Sequence, residues 1–178
     1  MDTGENTARV VVRPARAGDA DDLAVAHVRA WQVAYSGLMS AQYLDRMEVA
    51  ERAQAWAQRL AQPAADSRVV VADVRDRVVG FVVFGRGRDG NHEAGEVYSL
   101  NVHPDHWQVG VGGELLSATH AGLAELGFSG AFLWVIEGNR RARDFYERRG
   151  WTRDEDQRIR DIQGVSVDEV RYSRSLAG

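Results

Sequence analysis

The chain has no cysteine among its 178 residues. That excludes disulfides, thiolate metal sites and a cysteine nucleophile, and it leaves the redox compartment undecided. Proline occurs only 3 times, and each one marks a break: Pro14, Pro63 and Pro104 each stop a strand or helix that cannot continue through a missing N–H. No apolar run approaches the ~20 residues needed to cross a bilayer. Basic charge is not in excess. The 22 basic residues face 26 acidic ones, for a net charge of −4, so a basic surface for nucleic acid is not expected, and a cationic small substrate is compatible. Residues 1–8 are polar and lack the apolar centre of a signal peptide, so they read as a loose tail before one domain, 9–178. The expected location is cytoplasmic, with neither membrane nor nucleic acid as partner.

What is present is an ordinary globular balance, 44% hydrophobic and 27% charged, in a length that suits one domain with a sizeable core. Arg9 to Pro14 reads as a short strand. A helix follows from Asp19, whose carboxylate can cap it, with Ala24, Val28, Trp31 and Tyr35 on one face. Tyr43 to Met47 and Ala50 to Leu60 suggest two further helices. Arg68–Val74 and Val78–Phe84 form a hairpin around Arg75-Asp76-Arg77. A glycine-rich loop, Gly85 to Gly95, leads into a strand from Glu96 to Val102. After it come a helix to about Leu126, a buried strand Ala131–Ile136, a helix from Asn139 to Gly150, and a final antiparallel pair around Gln163-Gly164. This order predicts an α/β mixed sheet with helices on both faces. Its ligand sites should lie at the two β-to-α passages of the second half.

The first passage is Leu100 to Leu116, LNVHPDHWQVGVGGELL. A strand end, then Gly110, Gly112 and Gly113, then a helix start make an anion cradle. N–H groups without intrahelical partners point outward, and the helix dipole adds partial positive charge. The stretch has no Gly-Lys-Ser/Thr ending and no third glycine at a dinucleotide-fold offset, so neither nucleotide fingerprint applies. The glycines could equally solve a packing problem.

Two motifs on this element order resemble the GNAT superfamily of N-acetyltransferases. Trp107-Gln108-Val109-Gly110-Val111-Gly112 looks like its acetyl-CoA signature. Leu133 to Trp151, LWVIEGNRRARDFYERRGW, looks like its second hallmark. The match departs at Trp107, which replaces Gln or Arg, and at Gln108 and Val109, which replace the frequent Gly and Arg. The resemblance implies a fold with a mostly antiparallel sheet flanked by helices, acetyl-CoA as co-substrate, no metal, and an amine acceptor. It also implies residue roles. Leu100, Asn101 and Val102 would face the acetyl carbonyl. Gln108, Val109, Gly110, Val111, Gly112 and Gly113 would hold the pyrophosphate. Asn139 and Arg143 would contact the cofactor, and Tyr146 would protonate the leaving thiolate.

Each role stands beside a plainer one. Tyr146 shares a face with Ala142 and Phe145 and could be core. Asn139 could simply cap its helix. Glu96 could accept the amine proton, or be a solvated carboxylate at a strand end. Tyr98 falls on its face if the strand is regular. Trp31 and Tyr35 could line an acceptor pocket, where aromatic faces suit a cation, or form a stripe packed on the sheet. Trp134 stands where some protein N-terminal acetyltransferases carry a glutamate base, which argues against that acceptor type. The scattered histidines give no metal-ligand spacing. The leading expectation is direct acetyl transfer to a small amine. Transfer to a peptide or protein lysine and a non-catalytic acyl-CoA-binding module are the alternatives. A homodimer agrees with the resemblance.

Overall fold

The computed structural model describes residues 9–88 and 93–176. The expected tail and the middle of the Gly85–Gly95 loop lie outside them. Strand β1 (Val10–Pro14) is followed by helices α1 (Ala20–Ala34), α2 (Ala41–Asp45) and α3 (Val49–Ala61). Strands β2 (Ser67–Val74), β3 (Arg77–Arg86) and β4 (Gly95–Val102) come next, then α4 (Val111–Glu125), β5 (Gly130–Ile136), α5 (Arg140–Glu147), β6 (Thr152–Ile162) and β7 (Val165–Ser175). The strands form one seven-stranded sheet in the order β1-β2-β3-β4-β5-β7-β6, antiparallel except where β4 meets β5. The expected mixed sheet is therefore present, with α1 and α3 on one face and α4 on the other. Among the described residues no helix is long and apolar enough to cross a membrane.

Local chemistry explains the turns. Both tight hairpins put two residues in the left-handed region, Arg75 (φ 53°) with Asp76 (φ 61°), and Gln163 (φ 55°) with Gly164 (φ 81°). Such turns twist in the sense that antiparallel strands require. The start of α1 differs from the expected cap. Asp19 makes no bond to the N–H groups of α1. Its carboxylate instead accepts from the Arg16 N–H at 2.7 Å and from both terminal nitrogens of Arg13. Arginine draws it into a salt bridge with two parallel N–H bonds. Asp22, in the first turn, accepts from the Val78 N–H and so ties α1 to β3.

Two irregularities position the site. β4 runs parallel to β5 only from Gly95–Ala131 to Val97–Leu133, and beyond that the strands part. β4 also bulges, since Val97 pairs with Phe84 but Ser99 with Val83, leaving Tyr98 without a partner on β3. A bulge shifts the alternation of side chains. Glu96 and Tyr98 share the α1 face, as expected, but after the bulge Asn101 takes that face while Leu100 and Val102 join the core under α4.

Candidate active site

The parted end of β4 offers peptide groups. The His103 N–H donates to the Val79 carbonyl at 2.7 Å. In an antiparallel pair the N–H and C=O of one residue point the same way and alternate along the strand. Asn101 therefore directs its N–H to β3, while those of Leu100 and Val102 point into the gap toward β5. The Val102 carbonyl accepts a 2.6 Å bond from the indole N–H of Trp107. The departure from the family pattern at Trp107 thus has a structural use: the indole clips the start of the glycine turn to the end of β4.

The turn itself holds Gln108 (φ 64°) and Gly110 (φ 95°) in left-handed conformations. The first helical bonds of α4 come from Gly113 and Glu114, both to the Gly110 carbonyl. Among the described residues the N–H groups of Gln108, Val109, Gly110, Val111 and Gly112 have no partner. These are the free donors of a helix start, and they form an anion cradle. The glycines also serve packing. A Cβ on Gly112 would lie 3.1 Å from the Phe145 ring, and one on Gly113 would lie 2.9 Å from the Arg149 guanidinium. Of the signature residues, Val109 is 60% exposed at the tip, whereas the Val111 side chain is core. Val111 can therefore contribute only its N–H.

Helix α5 crosses beside this turn. Asn139 caps it, its side-chain oxygen accepting from the Ala142 N–H at 3.1 Å. Tyr146 is buried, edge-on to Phe145 and Trp151. Its hydroxyl has no hydrogen-bond partner among the described residues. Burial, and then the nearby Tyr35, hold its pKa well above that of a free phenol, so it stays protonated. Arg143, expected at the cofactor, has its guanidinium engaged elsewhere. It donates to the Tyr172 hydroxyl at 3.2 Å and to the Glu137 carbonyl at 3.1 Å. Tyr172 in turn donates to Glu147. The bonds of Arg143 fasten α5 to β7 and to the end of β5.

On the α1 face, Glu96 is 1% exposed and not a solvated strand-end carboxylate. Arg88 grips it with its backbone N–H (2.9 Å), its Nε (3.1 Å) and a terminal nitrogen (2.7 Å). The same guanidinium lies 4.1 Å from the centre of the Tyr98 ring, and the Tyr98 hydroxyl donates to the Arg86 carbonyl. Trp31 packs against His27, Tyr35 and Tyr43, with the Tyr35 ring at 4.9 Å. Tyr35, at the end of α1, feels burial first and then the Glu169 carboxylate, which together raise its pKa. Glu169 is buried and accepts from Arg158 at 2.6 Å and Arg160 at 3.4 Å. Just after α1, Leu38 closes on the loop between β5 and α5, because a Cβ on Gly138 would lie 2.6 Å from it. Sequence reading missed Arg88, Glu169 and the arginine pair of β6. Each acts through a cross-strand partner that no local motif reveals.

Comparison with known proteins bears on the family and the fold. The acetyltransferase (GNAT) family profile matches residues 28–151. The chain is 31% identical over 132 residues, 73% of each chain, to YuaI of Bacillus subtilis (strain 168), described as an uncharacterized N-acetyltransferase. Over 81 residues it is 40% identical to a mycothiol acetyltransferase of Geodermatophilus obscurus, covering 44% of this chain but 26% of that protein. Its fold is similar to that of the PaiA N-acetyltransferase of Thermoplasma acidophilum, solved in complex with coenzyme A, with TM-score 0.72, 17% identity and coverage of 94% and 99%. It is also similar to yncA of Salmonella typhimurium, solved with acetyl-CoA, with TM-score 0.65, 22% identity and coverage of 94% of both chains. The chain belongs to the GNAT acetyltransferase family.

Proposed function

We propose that the chain transfers the acetyl group of acetyl-CoA directly to the amine of a small molecule. The observation that carries this reading is the buried Tyr146 hydroxyl, without a hydrogen-bond partner among the described residues, on the helix that packs against the free N–H groups of the glycine turn. The relatives solved with coenzyme A and acetyl-CoA support the choice of cofactor. In this reading the N–H groups from Gln108 to Gly112 hold the pyrophosphate, Gly113 being excluded because its N–H already donates to the Gly110 carbonyl, and the pantetheine arm lies in the gap. The N–H groups of Leu100 and Val102 face the acetyl carbonyl, where they can stabilise the oxyanion.

The amine nitrogen attacks the carbonyl carbon, the C–S bond breaks, the Tyr146 hydroxyl gives its proton to the leaving thiolate, and the proton lost by the new amide nitrogen returns to the Tyr146 phenolate. The amine must first lose its own proton. Glu96 is the carboxylate we assign to that step. Arg88 already occupies both its oxygens, so it acts through an ordered water rather than by direct contact. Asn139 and Arg143 hold α5, and with it Tyr146, at the gap. Trp31, Tyr35 and Tyr98 line the acceptor side.

Leu38, just after α1, lies against Gly138, just after β5, and we take this contact as favouring a small acceptor over a peptide lying in an open groove. The test is thiol release from acetyl-CoA with a panel of small amines set against a lysine-containing peptide. Turnover with at least one small amine, well above that with the peptide, supports the proposal. CoA binding without amine-stimulated release would leave only a binding module.

A further inference from the structure

Two guanidiniums bracket the glycine cradle, and both come from the α5 side. Arg141 lies 3.2 Å from the centre of the Trp107 ring, at the entry of the turn. Arg149 lies 4.0 Å from the centre of the Phe145 ring and against Gly113, in the first turn of α4. Neither forms an ion pair among the described residues. Arg149 makes one long bond, to the Phe145 carbonyl at 3.5 Å, and Arg141 is exposed. Cations beside the positive end of a helix are unfavourable on their own. Here they are held there by stacking on aromatic rings, next to N–H donors that also lack partners. An anion bound between them reverses the sign of the interaction. The turn itself supplies no cation, since it holds Gln108 and Val109 between Trp107 and Gly110.

We propose that Arg141 and Arg149 supply the positive charge that binds the phosphates of the cofactor, in place of a basic side chain in the glycine turn. The proposal rests on the acetyl-CoA reading above. Guanidiniums suit this task because their planar fork meets two phosphate oxygens at once. Coenzyme A offers two sources of that chemistry, the pyrophosphate bridge and the 3′-phosphate. Stacked on Trp107, Arg141 also couples the bound phosphate to the indole that clips the end of β4.

The test is titration of the full chain with CoA and with dephospho-CoA, which lacks the 3′-phosphate, at low and at moderate salt. Variants are Arg141→Met, Arg149→Met and the double variant, because methionine keeps most of the stacked length without the charge. Thermal melts check folding, and Arg141→Met, at an exposed position, keeps the test open if changes at Arg149 weaken the fold. We expect each single variant to bind CoA about fivefold more weakly, the double variant at least tenfold, and salt to matter less in the variants. Equal losses with dephospho-CoA place the guanidiniums on the pyrophosphate; losses seen only with CoA place them on the 3′-phosphate. Double-variant binding within twofold of the parent for both ligands overturns the proposal while leaving the cofactor reading intact. If the parent chain binds neither ligand, the cofactor reading fails and this inference fails with it.

Discussion

In the proposed reaction, Tyr146 is the residue on which the chemistry turns. A phenol held protonated by burial can donate at any ordinary pH. Tyr146→Phe should therefore lower kcat by roughly 10²-fold, within the usual range for general acid catalysis, while the KM for acetyl-CoA moves little. Steady-state kinetics with the best amine checks this. Because its pKa is raised, Tyr146 should contribute no alkaline loss of kcat below about pH 10. His27 gives a second residue-scale expectation. Burial lowers its pKa to about 3 from the usual 6.5, and its Nδ1 has no hydrogen-bond partner. The unfolded chain then binds more protons than the folded one between those values, so stability is full above about pH 6.5 and falls as the pH drops toward 3. Thermal melts at pH 7 and pH 5 should show the loss, and His27→Phe should reduce the difference.

At the scale of elements, the site is a relation between β4, α4 and α5. Its local parts were legible in the sequence. Gly110 to Gly113 and Asn139 to Tyr146 sit in short segments whose spacing alone fixes a turn or a cap. What could not be read depends on pairing across the chain. The bulge at Tyr98 has no glycine or proline to mark it, and it redirects Asn101. The parting of β4 from β5 is set by how far two distant strands stay in register. The Arg88–Glu96 pair and the Arg141–Trp107 stack likewise need the fold before they exist. Arg143 looked available on a helix next to the cofactor, yet Tyr172, 29 residues away, claims it.

The hairpin turns allow a further expectation. Arg75 and Asp76 both hold left-handed conformations, which cost roughly 1 kcal/mol each for most L-residues. Asp76→Gly, at the turn between β2 and β3, should raise the unfolding midpoint by a few degrees. Gly112→Ala should do the opposite. Its Cβ would press on Phe145, so both stability and acetyl-CoA affinity should fall, and melts with and without CoA separate the two effects.

For the whole molecule, composition has a practical consequence. All 22 basic residues are arginine, and the chain has no lysine. No lysine side chain within these 178 residues therefore competes as an acceptor in an acetylation assay. Arginine also furnishes the salt bridges that cross between strands, from Arg13–Asp73 between β1 and β2 to Arg171–Asp154 between β7 and β6. A ligand that binds only the folded chain should stabilise it by about 2.7 kcal/mol at a hundredfold excess over its dissociation constant. CoA should therefore raise the melting temperature, and a simple thermal shift reports binding before any acceptor is known.

The most direct test of the central claim is the single-turnover rate of thiol release from bound acetyl-CoA, with the best amine, in the parent chain and in Tyr146→Phe. Amine-dependent release that falls about 10²-fold in the variant, with acetyl-CoA affinity unchanged, is the predicted result. Equal release rates in the two proteins would contradict the assignment of Tyr146 as the acid at this site.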